Sequence, residues 1–255
     1  MGTLEGRVAI VTGGGAGLGL AIAQALAAAG CDIAIAERNA EAGESVAAAL
    51  GALGVRARSY AVDVSAAAEV DAAFAAVPKD FGRLDIVVNN AGVSHVGPTI
   101  AETTDEAWSE SIGVMQTGVF YCMRAAARHL LPQGSGSVVN ISSIRGFSPN
   151  PGRIAYCAAK AAVLMMTRVA AGEWAPSGVR VNAIAPGIQR TPMWDDDVER
   201  GAIDEPFYLR TVPMGRIGDP ADVGKLAVYL CSDDAAYVTG ACFTIDGGLT
   251  SIPAG

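Results

Sequence analysis

Three side chains in the second half of the chain have the types and spacing needed for proton transfer at an alcohol. Tyr156 and Lys160 stand four residues apart in an Ala-rich stretch, and Ser143 lies thirteen residues before Tyr156. Residues at i and i+4 of a helix share one face, so a helix here would place the phenol beside the ammonium group. A neighbouring cation favours the phenolate over the phenol, whose pKa is ordinarily about 10. Ser143 could then hydrogen-bond an oxygen that gains negative charge, so the trio predicts acid-base chemistry.

A Tyr and a Lys at this spacing also recur by chance, so the interpretation depends on the elements that position them. Short runs rich in Val, Ile and Ala alternate with longer Ala-rich stretches. Continuously apolar runs are typical of parallel strands covered on both faces. We therefore predict an α/β fold: a doubly wound parallel sheet of about seven strands, Rossmann-type, in a single domain over residues 1–255. The predicted strands are residues 7–12, 32–36, 56–62, 84–89, 136–141, 179–183 and 242–245.

Residues 189–216 break the alternation of strands and helices. They contain Pro192, Pro206 and Pro213 together with Met193, Trp194 and Phe207. We predict that they form a small substrate lid. Two helix starts are also indicated, a capping box over residues 103–106 and an N-cap at Asp219 followed by Pro220.

Composition excludes several classes of protein. Hydrophobic residues make up 51% of the chain and charged residues 17%, which suits a large core and not a disordered chain. The net charge of -8 argues against a nucleic-acid partner, and we expect no membrane span. Five widely spaced cysteines match neither a disulfide framework nor a zinc site. We therefore expect reduced thiols, no metal and a cytoplasmic location.

A glycine-rich loop follows the first predicted strand and precedes an apolar helix. Its glycines include Gly13, Gly17 and Gly19, and such glycines let the backbone approach a pyrophosphate at a helix N-terminus. Glu37 ends the second predicted strand, where a carboxylate can bind ribose hydroxyls and repel a 2'-phosphate. Arg38 beside it could accommodate that phosphate instead. The charge argument favours NAD as cofactor over NADP.

Taken together, the chain resembles the shorter branch of the short-chain dehydrogenase/reductase family over essentially its whole length. The glycine loop, the trio of Ser143, Tyr156 and Lys160, and the Asp246-Gly247-Gly248 segment occur in the order that this family shows. The resemblance implies that the trio is catalytic and that the protein forms a homotetramer. It also implies a set of cofactor-binding residues: Gly13, Gly17, Leu18, Gly19, Glu37, Arg38, Asp63, Val64, Asn90, Ala91, Gly92, Tyr156, Lys160, Pro186, Gly187, Ile188 and Thr191.

One position departs from the family pattern. Alignment on Trp108, Gly118 and Phe120 puts Met115 where the family usually has an Asn that helps to hold a helix bend and a water linked to Lys160. A thioether cannot form the hydrogen bonds of an amide. We expect that a backbone carbonyl freed by a helix bulge could hold the water instead, and that activity survives.

The substrate is less well defined by the sequence. In this family the loops after strands four, five and six line the substrate pocket, and here they offer Ser143, His95, Arg145, Arg153, Gln189 and Trp194. Arg145 and Arg153 could bind an anionic group, or they could be ordinary solvent-facing arginines.

The sequence therefore predicts an NAD(P)-dependent oxidoreductase that moves a hydride between the nicotinamide and a small-molecule secondary alcohol or ketone. Sugars, polyols, hydroxy acids and related carbonyl compounds all suit this prediction. Tyr156 would act as the general acid and base. The alternative is an NAD(H)-binding regulatory protein with little or no turnover because of Met115.

Overall fold

The structure, a computed structural model, describes residues 3–93 and 99–251. Its described part contains a seven-stranded sheet of parallel strands in the order β3-β2-β1-β4-β5-β6-β7. This order confirms the predicted doubly wound, Rossmann-type fold. The strands are β1 (Val8–Thr12), β2 (Asp32–Glu37), β3 (Ala57–Ala61), β4 (Ile86–Asn89), β5 (Gly136–Ile141), β6 (Val179–Pro186) and β7 (Cys242–Ile245).

Helices cover both faces of this sheet. They are α1 (Gly17–Ala28), α2 (Ala40–Gly51), α3 (Ala67–Phe81), α4 (Asp105–Ile112), α5 (Gly118–Gln133), α6 (Ile154–Trp174), α7 (Pro192–Glu199), α8 (Glu205–Thr211) and α9 (Pro220–Cys231). Alternate strand residues point to opposite faces, and each face carries its own apolar cluster. One cluster packs side chains of α3, α5 and α6 on the sheet, and the other packs α1, α2 and α9. The sheet is thus buried on both sides, as its apolar strands require.

A glycine allows the two helices α1 and α9 to pack closely. A Cβ atom added at Gly224 of α9 would lie 2.8 Å from the carbonyl oxygen of Ala21 and 2.9 Å from the Cβ of Ala25. Both distances are too short for a larger side chain. The close packing fixes α1, whose first turn belongs to the glycine-rich loop.

The two predicted helix starts have different outcomes. Asp219 caps α9 as predicted, because its carboxylate accepts a 2.9 Å hydrogen bond from the Ala221 amide. The capping box predicted at residues 103–106 is wrong. Thr104 alone caps α4, and the capping box lies earlier, where Glu102 accepts bonds of 3.1 and 2.7 Å from the amide and hydroxyl of Thr99. That box has the same Thr-x-x-Glu pattern as the predicted one and caps a single 3₁₀ turn.

A π-helical segment, Gly113–Thr117, connects α4 to α5. Hydrogen bonds in a π-helix span five residues instead of four, and here the Gly118 amide donates to the carbonyl oxygen of Gly113. Met115 lies in the middle of this segment and its side chain is fully buried. The expected helix bulge is therefore present at the position where Met115 replaces the family's usual residue.

The longest helix is apolar enough to pass a test for membrane spans. Residues Ile154–Ser177, which contain α6, meet the length and composition criteria with a mean hydropathy of 1.4. However, Lys160, Val163 and Thr167 of this helix are buried against the sheet. This side of α6 therefore packs on the core, while the apolar side chains of Met165 and Val169 on the same helix remain exposed.

The segment predicted as a lid contains the helices α7 and α8. Trp194 of α7 packs edge-on against Tyr208 of α8, with ring centres 5.4 Å apart. Arg190 forms ion pairs with both Asp195 and Glu205 and so ties the two helices together. These contacts make α7 and α8 one structural unit beside the carboxyl end of β6.

Candidate active site

The direction in which strands are added to the sheet reverses at β1, because β2 lies on one side of β1 and β4 lies on the other. Loops that leave the sheet in opposite directions at such a point open a crevice at the carboxyl ends of the strands. Here the crevice is a cavity of about 420 Å³. Its lining contains all the predicted catalytic and cofactor residues except Gly19, together with Arg145, Arg153, Gln189 and Trp194. His95 lies outside the described residues.

Two loops form the floor of this cavity and are joined by hydrogen bonds. The Thr12 hydroxyl, at the end of β1, accepts bonds from the amides of Asn90 at 3.0 Å and Ala91 at 3.1 Å. In return, the Asn90 side-chain amide donates to the carbonyl oxygens of Thr12 at 3.0 Å and Gly13 at 3.1 Å. The glycine loop and the segment after β4 therefore hold each other in place.

Gly19 packs behind the cavity wall instead of lining it. A Cβ there would lie 2.1 Å from the carbonyl oxygen of Gly13 and 2.5 Å from the side-chain nitrogen of Asn90. Gly19 is therefore the residue that lets α1 approach the loop. Gly17, which does line the cavity, has a φ of +55°, a conformation that favours glycine.

The start of α1 fits an anionic group. Ala16 occupies the N-cap position and has no side-chain acceptor, so the amides of the first turn are left to an external partner. Gly13, Gly17 and Leu18 surround this turn on the cavity side. A helix N-terminus with this geometry attracts a pyrophosphate.

The carboxylate of Glu37 is oriented by the glycine loop. Its Oε2 atom accepts a 3.1 Å bond from the Gly15 amide, and its Oε1 atom accepts a 3.0 Å bond from the Asn39 amide. Two fixed backbone donors hold the negative charge at the end of β2 beside the cavity. Arg38 is exposed next to it, also lining the cavity.

Asp63 and Val64 close the same end of the cavity. The Asp63 carboxylate accepts bonds from the amide and hydroxyl of Ser65 at 2.9 and 2.7 Å. These bonds, with a smaller contribution from the charge of Arg38, lower the pKa of Asp63. The carboxylate is thus fixed in its ionised form.

The predicted trio comes together at the centre of the cavity. Ser143 follows β5, and its hydroxyl accepts a 3.1 Å bond from the Arg145 amide while also being hydrogen bonded to Tyr156. Tyr156 and Lys160 lie one turn apart on α6, with the Lys160 ammonium nitrogen 5.7 Å from the centre of the Tyr156 ring. A phenol, a hydroxyl and a cation therefore face one space.

Burial and positive charge act in opposite directions on Tyr156. The ring is partly open to the cavity but closely surrounded by protein atoms, and this burial raises the pKa of Tyr156 above its usual value. The hydrogen bond with Ser143 opposes the rise, followed by the positive charge of Arg153 and then that of Arg145. The prediction that the neighbouring Lys160 makes the phenol easier to ionise stays a prediction, and burial of the phenol acts against it.

Lys160 is buried and fixed by the strand beside it. Its ammonium group donates a 2.9 Å bond to the carbonyl oxygen of Ile141, at the end of β5. Burial lowers the pKa of Lys160 to about 8. The ammonium group therefore stays mostly charged at neutral pH, although its pKa lies close to neutral pH.

The segment after β6 lies against both the C-terminal region and the glycine loop. A Cβ at Gly187 would lie 2.6 Å from the Cβ of Asp246, so only glycine fits this crossing. Thr191 caps α7 by accepting a 3.2 Å bond from the Trp194 amide. Its methyl carbon lies 3.6 Å from the Cβ position of Gly17, which places the starts of α1 and α7 side by side.

The predicted substrate residues occupy the other end of the cavity, but several already have partners. Arg145 donates a 3.2 Å bond to the carbonyl oxygen of Pro149. Gln189 donates a 3.2 Å bond to the carbonyl oxygen of Ile245. Arg153 pairs with the carboxylate of Asp197 at 3.7 Å. These partners reduce the capacity of the arginines to bind an anion.

Sequence reasoning missed four residues that line this end: Asn150, Asp197, Ile203 and Tyr208. A signal existed for Asp197, since it is three residues after Trp194 and shares its helix face. For Asn150, Ile203 and Tyr208 the local sequence gave no comparable signal, because only the tertiary fold brings them to the cavity.

Comparisons with known proteins agree with this architecture. A family model described as enoyl-(acyl carrier protein) reductase matches residues 13–250. A 2,5-dichloro-2,5-cyclohexadiene-1,4-diol dehydrogenase from Sphingobium indicum is 39% identical over 99% of this chain and 100% of the relative. A galactitol 2-dehydrogenase (L-tagatose-forming) from Cereibacter sphaeroides is 41% identical over 97% of this chain and 96% of its own.

A solved structure of NAD⁺-bound xylitol dehydrogenase superimposes with a TM-score of 0.91 at 33% identity, covering 96% of this chain and 99% of that one. The chain belongs to the short-chain dehydrogenase/reductase family of oxidoreductases. Its relatives include dehydrogenases of cyclic diols and of polyols.

Proposed function

We propose that this protein is an NAD-dependent dehydrogenase that interconverts a secondary alcohol and a ketone. The observation that carries the proposal is the meeting of Ser143, Tyr156 and Lys160 in one cavity whose opposite end is the glycine loop. One end of the cavity suits a dinucleotide, and the other presents acid-base groups to a small molecule.

Three features of the cavity support this choice of cofactor. The open first turn of α1 would hold the pyrophosphate, while Glu37, held by the Gly15 and Asn39 amides, would accept bonds from the adenosine ribose hydroxyls. When bound, the nicotinamide supplies or accepts the hydride. The fixed charge of Glu37 disfavours a 2'-phosphate, which supports NAD over NADP.

In this proposal, Ser143, Tyr156 and Lys160 carry out the proton transfer. In the direction of oxidation, Tyr156 as phenolate would take the proton of the substrate hydroxyl, and Ser143 would hydrogen-bond the same oxygen. Because burial opposes ionisation of Tyr156, positive charge close to the phenol is needed for this role. Lys160, Arg153 and Arg145 supply that charge from within the chain.

The proton must then reach solvent past Lys160. The π-helical segment beside it frees backbone groups from the regular helical pattern, and Met115 lines the cavity there. We propose that a water bonded to this backbone takes the place of the usual amide contact. Met115 therefore slows proton exit without preventing turnover.

We propose a neutral polyhydroxylated or cyclic alcohol as the substrate class. The named relatives include dehydrogenases of a cyclic diol and of galactitol. The substrate end combines the polar side chains of Asn150 and Gln189 with the apolar walls of Ile144 and Trp194. Arg145 and Arg153 already bond protein oxygens, which weakens the case for an anion.

A spectrophotometric assay tests the proposal. Purified protein is mixed with NAD or NADP and a panel of polyols, cyclic diols and hydroxy acids, and reduced nicotinamide is followed by absorbance. We expect turnover with NAD that Tyr156→Phe removes by at least about 10²-fold, while NADH affinity is retained. Tight NADH binding without turnover would instead favour the regulatory protein.

We also propose that the protein is a homotetramer. Apolar side chains of α5 and α6 remain exposed in the single chain, with Phe120 48%, Met165 57% and Val169 52% exposed. Patches of this kind are typical of subunit interfaces. Sedimentation equilibrium should give about 104 kDa, four times the chain mass of 25.9 kDa. A mass of one chain would contradict the proposal.

A further inference from the structure

The lid helix α7 carries one buried carboxylate among exposed ones. Its sequence contains Asp195, Asp196 and Asp197, of which Asp196 is exposed and Asp197 is only 3% exposed. Burying a carboxylate is unfavourable unless charged or polar partners compensate. The partners of Asp197 therefore indicate why it faces inward.

Asp197 bridges two arginines that come from different places. Its Oδ1 atom lies 2.5 Å from Arg200, which is on the same lid segment and largely exposed. Its Oδ2 atom lies 3.7 Å from Arg153, whose side chain is only 15% exposed. Arg153 is the N-cap residue of α6, three residues before Tyr156. The carboxylate thus links the lid to the helix that holds the phenol.

Arg153 acts electrostatically on Tyr156. Among charged groups, it is the one that most strongly lowers the pKa of that phenol, ahead of Arg145. A cation that is paired with a carboxylate exerts a weaker field than a free one. Asp197 is therefore placed where it can weaken the field of Arg153 at Tyr156.

We propose that Asp197 is a positioning residue, which holds Arg153 beside Tyr156 and partly neutralises it, so that the lid helix sets the charge at the acid-base group. The inference rests on the proposed dehydrogenase function and adds to it a role for the lid. Because Thr191, the N-cap residue of α7, lies next to Gly17 of the glycine loop, the same helix also borders the cofactor end of the cavity.

The other groups that face Tyr156 stay unchanged in the test. They come from the segment after β5 and from α6 itself: Ser143, Arg145, Cys157 and Lys160. Each acts on Tyr156 without passing through the lid. A change caused by Asp197 can thus be assigned to the lid helix.

The first variant is Asp197→Asn, which keeps a side-chain oxygen that can hold Arg153 in place and removes the negative charge. With Arg153 no longer neutralised, the phenolate becomes more favourable. The acidic limb of the profile of kcat/KM against pH for alcohol oxidation should move to lower pH by about one unit. Arg153→Gln removes the cation and should move the same limb to higher pH.

The double variant decides whether Asp197 acts through Arg153. If it does, Asp197→Asn combined with Arg153→Gln should behave like Arg153→Gln alone, since the mediator is gone. A limb midway between those of the two single variants would show that Asp197 acts on Tyr156 directly and would overturn the proposal.

Two matched variants control for structural damage. Asp196→Asn makes the same charge change one residue away on the exposed face of α7 and should leave the limb in place. Asp197→Glu keeps the charge and should restore the wild-type profile. If Asp196→Asn shifts the limb as far as Asp197→Asn, the effect is long-range charge alone and the proposal fails.

A second measurement does not depend on turnover. Tyrosinate absorbance is titrated for each variant, and the titration of the matching protein with Tyr156→Phe is subtracted. The ionisation of Tyr156 should shift in the same directions as the kinetic limb. Unchanged ionisation, or a rise in KM alone for Asp197→Asn, would mean that Asp197 binds substrate or only supports the lid. Absent turnover with shifted ionisation would reject the dehydrogenase proposal and retain this one.

Discussion

The ammonium nitrogen of Lys160 lies 5.7 Å from the ring centre of Tyr156 and is held there by a 2.9 Å hydrogen bond to the Ile141 carbonyl oxygen. The bond joins sheet and helix at this cation, because Ile141 ends β5 and Lys160 belongs to α6. The buried charge is unfavourable for folding, yet it stands where a phenolate needs it. Stability and the activity proposed above are therefore opposed at this residue.

The first prediction concerns stability against pH. The pKa of Lys160 is about 8 in the folded protein and 10.5 as its ordinary value. Between these values the unfolded chain binds more protons than the folded one, so stability from this group rises with pH. In wild type, this group should raise the free energy of unfolding by about 3 kcal/mol between the two pKa values, and Lys160→Met should remove that rise. Urea unfolding at several pH values measures it.

The same variant should also be more stable than wild type at neutral pH, by about 1–2 kcal/mol, because no charge is buried. Loss of the bond to the Ile141 carbonyl oxygen reduces this gain. Lys79→Met, at an exposed position, is the control and should leave the pH dependence unchanged. A Lys160→Met protein with the wild-type slope would contradict the lowered pKa.

The second prediction concerns cofactor choice. Glu37→Gln removes the negative charge but keeps an oxygen that can accept the Gly15 amide bond. Because repulsion of a 2'-phosphate is lost, the ratio of NADP to NAD affinity should rise about tenfold. Calorimetric titration with both cofactors measures the ratio. Glu41→Gln, on the exposed start of α2, should leave it unchanged, whereas a wild-type preference for NADP would show that the role given to Glu37 is wrong.

A third prediction tests the packing of the glycine loop. Gly19→Ala would place a carbon 2.1 Å from the Gly13 carbonyl oxygen, so the loop must move. We expect a loss of about 2 kcal/mol or more in stability and a loss of NAD binding. Gly51→Ala is the matched control, since nothing lies within 4 Å of its Cβ position at the end of α2. That change should be neutral or stabilising by up to about 1 kcal/mol.

The fourth prediction concerns proton exit beside Met115. An amide at this fully buried position is costly, so Met115→Asn should lower stability by about 1–3 kcal/mol. The amide could hold a water near Lys160, and the solvent deuterium isotope effect on kcat should fall. Met115→Leu should keep the wild-type isotope effect. An unchanged effect in Met115→Asn would show that proton exit does not limit turnover.

Much of the fold follows from short-range sequence. The strands could be predicted because a buried strand is a continuous run of apolar residues in the sequence. Both β5 and β7 have the predicted bounds. β6 is longer than predicted, reaching Pro186, because its last residues pair with β7. Because β7 lies about sixty residues further along the chain, the sequence around β6 does not indicate this pairing.

The sequence by itself determined which chemical groups meet. The glycines of the loop, the four-residue spacing of Tyr156 and Lys160, and Ser143 after a strand are local features that dictate where side chains point. Parallel strands place the ends of such segments at one edge of the sheet, so the site follows from order along the chain.

Only the tertiary structure decided the electrostatics of that site. Desolvation depends on every neighbour at once, and it raises the pKa of Tyr156 although a lysine lies beside it. The pair of Arg153 and Asp197 joins residues forty-four positions apart and connects α7 to the helix that carries Tyr156. Charges act through space, so their balance is set by the fold and not by spacing along the chain.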